Sequence, residues 1–402
     1  MKRHTGQDRE ETRHWRSRTR AVRGGTFRSE YGETSEAIFL TSGYAYDNAG
    51  QAAARFREEE PGMTYSRLQN PTVQMLEERL ALLEGAEACR VSASGMAAMT
   101  GALMGTLSAG DHLVVSRQLF GSCWSLVDHV LPRFGIHYTA VDGRDSDAFR
   151  TAMRPNTRAI FLETPSNPTL DIVDIAAVAD IAHQGGAILI VDNAFASPVL
   201  QRPLDFGADV VAYSATKLID GQGRTLSGAV LGSEQWMEEK YLAFTRVTGP
   251  NLSAFNAWLL LKSLETLELR ALAASDSARR LARFLEARVP RLVYPGLESH
   301  PQHALAMRQM RTGGTMLSVG LDGGRKQAHA LLDALRIIDI SNNLGDTRTL
   351  MTHPASTTHS GVSAEDQQRM GIDEGMLRLS VGLEDADDLM EDLDQALKAA
   401  GV

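Results

Sequence analysis

Between residues 100 and 220 the apolar positions fall into short runs; beyond residue 250 much of the chain changes to a helical spacing. Residues 112–116, 159–163, 187–192 and 209–213 are each dominated by Val, Ile, Leu, Phe or Ala, which predicts short buried strands. Helical patterns separate several of them, as over 174–184, and others precede them over 73–84 and 97–107. Strands alternating with helices predict an α/β fold, a mostly parallel sheet covered by helices on both faces. After Pro250 the spacing predicts a long helix over 253–289, capped by Ser253, with Ala274 the candidate point for a break. The remainder reads as α+β, with strands at 315–321, 337–340 and 377–381 and a closing helix at 386–399. This divides the chain into an N-terminal arm (1–63), a large domain (64–252) and a smaller C-terminal domain (253–402).

In an open parallel sheet a ligand sits beyond the carboxyl ends of the strands. Phe120, Glu163 with Asn167, Asp192, and Ser214 to Lys217 all fall there, and that convergence points to a site. Lys217 follows a buried strand, where its charge must be solvated, paired or removed. A carbonyl cofactor removes it by condensing with the amine, and the Ser214 and Thr216 hydroxyls would stand by as donors to a phosphate. A surface lysine in a strand-to-helix turn is the equally open alternative. Asp192 closes a five-residue apolar run. An unpaired carboxylate is costly there, and a protonated pyridine nitrogen would suit it; capping the next helix is the competing use.

Other segments offer anion-binding groups. Tyr65 and Arg67 lie two residues apart, so in an extended segment they point the same way and suit a phosphate, unless they belong to a plain surface loop. Asn70-Pro71-Thr72 then reads as the start of a helix, with a capping hydroxyl. Ser92-Ala-Ser94-Gly95-Met96 opens another helix, whose unpaired N–H groups form an anion site, although many helices begin with serine. Arg378 stands opposite the apolar face of its alternating segment, either solvated or binding a carboxylate through its guanidinium fork.

Composition narrows the class. The 402 residues are 43% hydrophobic and 23% charged, as in an ordinary soluble enzyme, and the net charge of −9 disfavours nucleic acid and anionic membranes as partners. No apolar run is long enough to span a bilayer, and residues 1–25 have no apolar signal core. Those 25 residues carry eight Lys/Arg and three Asp/Glu, net +5, which predicts a solvated, partly disordered arm. Cys89 and Cys123 make no disulfide framework and read as reduced thiols of a cytoplasmic protein. His353 and His359 flank Pro-Ala-Ser-Thr-Thr without metal-ligand spacing, so that segment reads as a structured loop near a substrate.

Ser214-Ala-Thr216-Lys217 followed by Gly221-Gln-Gly223-Arg224 resembles the lysine motif of the Cys/Met-metabolism enzymes that use pyridoxal 5′-phosphate. Similar motifs run from about Thr41 to Asp385. The family includes cystathionine synthases and lyases, methionine γ-lyase and the homoserine-ester sulfhydrylases. The resemblance implies a fold-type I large domain like that of aspartate aminotransferase, with the cofactor held by Lys217 and its ring nitrogen paired with Asp192. It places Ser94, Gly95, Met96, Ser214 and Thr216 around the phosphate, Phe120 stacked on the ring and Asn167 near the ring oxygen. Arg378 would grip the substrate carboxylate, with Asn343 and Tyr65 beside the substrate. Tyr65 and Arg67 would reach the cofactor phosphate of an adjacent subunit, in a homo-oligomer built as a dimer of dimers.

Two departures bear on the reaction that the resemblance implies. Phe120 stands where most members have tyrosine, which removes a phenol used in proton transfer, and Asn343 replaces the serine of a Ser-Leu-Gly loop. Both resemble the O-succinylhomoserine sulfhydrylase branch. The implied reaction is γ-replacement in methionine biosynthesis, with sulfide displacing succinate to give homocysteine. O-acetylhomoserine sulfhydrylase, cystathionine γ-synthase and the γ-lyases stay open as alternatives, as do the acyl group and the sulfur donor.

Overall fold

The structure, a computed structural model, describes residues 12–402. Part of the basic arm, residues 1–11, lies outside the described residues. From Thr12 onward the arm is anchored at Thr12, Ala21 and Gly24, while residues 13, 14, 16–19, 22 and 23 stay exposed to solvent. Helix α1 (Ser17–Arg23) buries Ala21, Arg18 pairs with Glu268 at 3.1 Å, and Arg20 donates to the Leu82 carbonyl at 2.9 Å. The cations are used here to bind carbonyls and a carboxylate of the body. The next stretch is tied down by Arg79, which is fully buried and pairs with Glu36 at 2.6 Å, while Lys262 reaches the other Glu36 oxygen at 2.7 Å. Breaking such a buried pair costs about 3–5 kcal/mol, so the course of the strap is strongly specified.

Helix α2 (Pro71–Glu84) begins as the sequence suggests, but the cap is Asn70, whose side chain accepts from the Thr72 and Val73 N–H groups. The Thr72 hydroxyl instead donates to the Ala37 carbonyl of the strap.

The main sheet has seven strands: β1 (Ala88–Ser92), β2 (His112–Ser116), β3 (His137–Val141), β4 (Thr157–Glu163), β5 (Ile188–Asp192), β6 (Val210–Ser214) and β7 (Gly228–Gly232). Their order is β1-β7-β6-β5-β4-β2-β3, parallel except for β7, which runs against both neighbours. The four strands read from sequence are adjacent at its centre. The other three have mixed or glycine-bounded sequences that carry little periodic signal. Alternation along β6 supplies both faces: Val210 and Ala212 pack beneath helix α3 (Gly95–Thr106), while Val211 and Tyr213 pack against α2. Helix α4 (Ile175–Gln184), capped by Asp174, covers β4 and β5.

The long helix predicted over 253–289 is two helices, α5 (Ala254–Leu264) and α6 (Leu267–Glu286). Ser253 caps the first as expected, accepting from the Asn256 N–H at 3.1 Å. The break falls at Glu265–Thr266 instead of Ala274, because the Arg270 guanidinium takes the Ser263 carbonyl at the end of α5 while also binding the Leu218 carbonyl. Helix α6 joins two cores: Leu267 packs under the main sheet, and Ala278 to Leu285 pack under a second sheet. That sheet contains β8 (Arg291–Val293), β9 (Met316–Gly320), β10 (Asp339–Ile340), β11 (Leu350–Thr352) and β12 (Met376–Ser380), in the order β10-β11-β12-β9-β8. Helix α7 (Ala386–Ala399) closes the chain over it. Among the described residues no helix is long and apolar enough to cross a membrane.

Candidate active site

The carboxyl ends of β4, β5 and β6, the start of α3, the central strand β12 of the second sheet and loops beside it enclose a cavity of about 440 Å³. Ten of the thirteen residues to which the family resemblance gives a site role line it, and so does Glu163.

At one end lie Ser94, Gly95 and Met96. Ser94 caps α3 by accepting from the Ala97 N–H at 3.1 Å, and the N–H groups of Gly95 and Met96 come too early in the helix to find an intrahelical partner. Only glycine fits at 95, since a Cβ there would sit 2.6 Å from that of Ser214. The helix start and the end of β6 therefore converge on a volume suited to a bound anion. Thr216 is committed differently from expectation: its hydroxyl donates to the Ser227 carbonyl at 3.2 Å and accepts from the Ser227 N–H at 2.9 Å.

The floor is acidic. Asp192 and Glu163 are register partners on adjacent parallel strands, and both are buried. Asp192 accepts from the Ala194 N–H at 3.1 Å, a turn bond instead of a helix cap, and no described Lys, Arg or His pairs with it. Burial raises its pKa to about 7; burial and then Asp192 push Glu163 well above the usual carboxylate range. Two such carboxyls on one cavity floor call for a cation, and a protonated pyridine nitrogen at Asp192 supplies one. With the anion cradle at the opposite end, these residues fit pyridoxal phosphate.

Lys217 enters from the loop after β6 and donates to the Asn343 side-chain oxygen at 2.7 Å. Burial, then the nearby Arg378, lowers its pKa to about 8, so a usable fraction of the amine is neutral near physiological pH. Arg378 is 1% exposed. It donates to the Asn167 side chain at 3.0 Å and to the Asn342 and Asn343 carbonyls at 2.9 and 3.1 Å, while its Nε is buried without a partner. Asn167 thus faces the guanidinium, and Asn343 bridges it to the lysine. Asn343 itself stands behind the wall that Asn342 and Leu344 form.

Tyr65 and Arg67 do not line this cavity. They border an open hollow with Gly249 and Asn251; Tyr65 is 42% exposed, and Arg67 lies 5.7 Å over its ring and donates to the Arg246 carbonyl. Wall residues that carry no sequence signal include Met99, Ser122 and Leu226. Thr358, from the loop between His353 and His359, also lines the cavity. Among the described residues no cluster of three or more His, Cys, Asp or Glu could hold a metal.

The model of the family described as Cys/Met metabolism PLP-dependent enzyme matches residues 18–398. An O-succinylhomoserine sulfhydrylase of Pseudomonas aeruginosa is 50% identical over 383 residues, covering 95% of each chain. An L-methionine gamma-lyase of Treponema denticola is 41% identical over 384 residues, 94% of this chain and 96% of the other. Among solved structures, a cystathionine gamma synthase from Xanthomonas oryzae in complex with aminoacrylate and cysteine superposes with a TM-score of 0.91 at 36% identity, covering 96% of this chain and 99% of that one. The chain therefore belongs to the Cys/Met metabolism PLP-dependent enzyme family: it is an enzyme of fold type I that works with pyridoxal phosphate.

Proposed function

We propose that this enzyme carries out γ-replacement on O-succinyl-L-homoserine, with sulfide displacing succinate to give L-homocysteine. The observation that carries this reading is the apolar ring of Phe120 on the cavity wall. A carboxylate, with a pKa of roughly 4, departs as a stable anion without help. A thiol, with a pKa of roughly 8.5, needs a general acid at the leaving sulfur, and Phe120 has no phenol to offer. The site therefore suits an ester better than a thioether, which favours a sulfhydrylase over a γ-lyase. The 50% identity with a sulfhydrylase over most of both chains supports the same choice.

Pyridoxal phosphate supplies an electron sink for charge developing on the substrate. Ser214 and the N–H groups of Gly95 and Met96 would hold its phosphate, with Thr216 shaping the loop through Ser227. Asp192 would pair with the ring nitrogen and keep its proton in place, and Phe120 would cover the ring and exclude water. Arg378 would orient the α-carboxylate through its unpaired Nε. The Lys217 amine, steadied by Asn343, would take one proton from Cα and one from Cβ as succinate leaves Cγ, and return one to each carbon after sulfide has added at Cγ.

We propose further that the active form is a homo-oligomer in which Tyr65 and Arg67 serve a neighbour's cavity. Exposed Tyr31, Leu40 and Phe56 along the same strap support this, because large apolar side chains left in solvent mark a contact surface. Cys89 and Cys123, both buried and outside any disulfide, suit the cytoplasm.

Two measurements follow. O-succinylhomoserine should turn over faster with sulfide than with cysteine, and homocysteine should dominate when both are supplied; mainly cystathionine would move the protein to cystathionine γ-synthase. The second uses cofactor-free protein, where only the neutral Lys217 amine can condense with added pyridoxal phosphate. With a pKa of about 8 the neutral fraction, and so the loading rate, should rise about tenfold in all from pH 7 to 9 and then level off. A tenfold rise per unit continuing through pH 10 would show an ordinary lysine.

A further inference from the structure

Glu163 is the one ionised-type group on the cavity floor to which the mechanism above gives no task. It ends β4, is 2% exposed, and its Oε2 accepts the Phe120 backbone N–H at 2.6 Å. That bond is made by the residue whose ring forms the wall. Across the turn the backbone has no slack: a Cβ on Gly121 would come within 2.7 Å of the Thr358 carbonyl, and His359 is buried alongside. Phe120 is therefore held between backbone packing from the C-terminal half and one side-chain acceptor rising from the sheet. Its φ of −54° and ψ of 137° start the short helix Gly121–Ser125 with no side-chain cap of its own.

We propose that Glu163 is a positioning residue, whose bond to the Phe120 N–H sets the angle at which the aromatic ring covers the cofactor face. The proposal rests on the cofactor and on the placement of Phe120 over its ring, not on which ester reacts. The register pairing of Glu163 with Asp192 gives a rival route, in which the ionisable carboxyl of Glu163 acts on the ring nitrogen through Asp192. Two substitutions separate the routes. Glu163→Asp keeps an ionisable carboxyl but is one methylene too short to reach the N–H, and Glu163→Gln keeps an acceptor oxygen at full length but cannot ionise.

The direct readout is the circular dichroism of the bound cofactor's visible band, which reports how the protein holds the ring and needs no substrate. Glu163→Asp should lose about half of that amplitude or more. Its kcat should fall roughly ten- to a hundredfold, with KM changing less than about threefold, as expected when a group is displaced by about an ångström. Glu163→Gln should keep both within about twofold. In a Phe120→Ala background, Glu163→Asp should add no further change to the band, because the ring it positions is gone. A Glu163→Gln protein as impaired as Glu163→Asp would overturn the proposal, as would a normal band in Glu163→Asp. Loss of cofactor-band amplitude with no turnover of any homoserine ester by the wild type would leave the positioning role standing and remove only the assigned reaction.

Discussion

Lys217→Ala is expected to abolish turnover, a loss of at least about 10⁴-fold, because one side chain supplies both the covalent hold on the cofactor and the base that moves the substrate proton. Among the described residues no other amine lines the cavity to replace it. Asp192 and Glu163, the carboxyls there, sit on the floor and are engaged with the Ala194 and Phe120 N–H groups, and burial holds the Cys123 thiol protonated. The variant should also lose the visible band of lysine-bound cofactor and release pyridoxal phosphate on dialysis. The fold should survive. The wild-type amine is buried where its charged form is disfavoured, so its removal relieves desolvation while leaving the Asn343 oxygen without its donor. These effects oppose one another at about 1–3 kcal/mol each, so the unfolding temperature should move by only a few degrees. Turnover within tenfold of wild type would sink the assignment of Lys217 and, with it, the reading of the cavity.

Mixing two inactive variants should restore activity. Lys217 lies inside the cavity, whereas Arg67 lies outside it on an exposed strap, held there by contacts with Arg246 and Tyr65. If the strap of one subunit completes the site of another, each site is built from Lys217 of one chain and Arg67 of its neighbour. Arg67→Ala should then be nearly inactive alone, through loss of a charged contact to the cofactor phosphate. In a mixed dimer of Lys217→Ala and Arg67→Ala chains, one site lacks both groups and the other has both. Random pairing makes half of the dimers mixed, so co-expression should recover roughly a quarter of wild-type activity. Mixed dimers that form, as judged by differently tagged chains, yet stay inactive would mean that Arg67 serves its own chain and that sites are not shared.

Much of the large sheet and its ligand end was legible in the sequence because the information there is local. Apolar runs define β2, β4, β5 and β6, and in parallel strands the residues that follow such runs must emerge on one edge of the sheet. That geometry alone gathers Phe120, Asn167, Asp192 and Lys217, whatever the packing details. Caps are local too, which is why Ser94 and Ser253 stand where a reader of the sequence puts them. Even so, Asn70 and not the Thr72 hydroxyl caps α2, because the strap offers that hydroxyl better partners at Ala37 and Phe39.

Tertiary structure decided what depends on segments far apart in the chain. The partner of Lys217 is Asn343, 126 residues away, and Arg378 is buried by Asn167, 211 residues before it. The helix break moved from Ala274 to Thr266 because a buried arginine binds a carbonyl at that point. The basic arm docks from Thr12 onward because carbonyls and a carboxylate of the body accept its arginines, and net charge cannot foresee where those acceptors lie. Chemistry carried by residue type and strand position is thus readable in one dimension. Which donor meets which acceptor is set only when the packed core brings remote backbones within hydrogen-bonding distance.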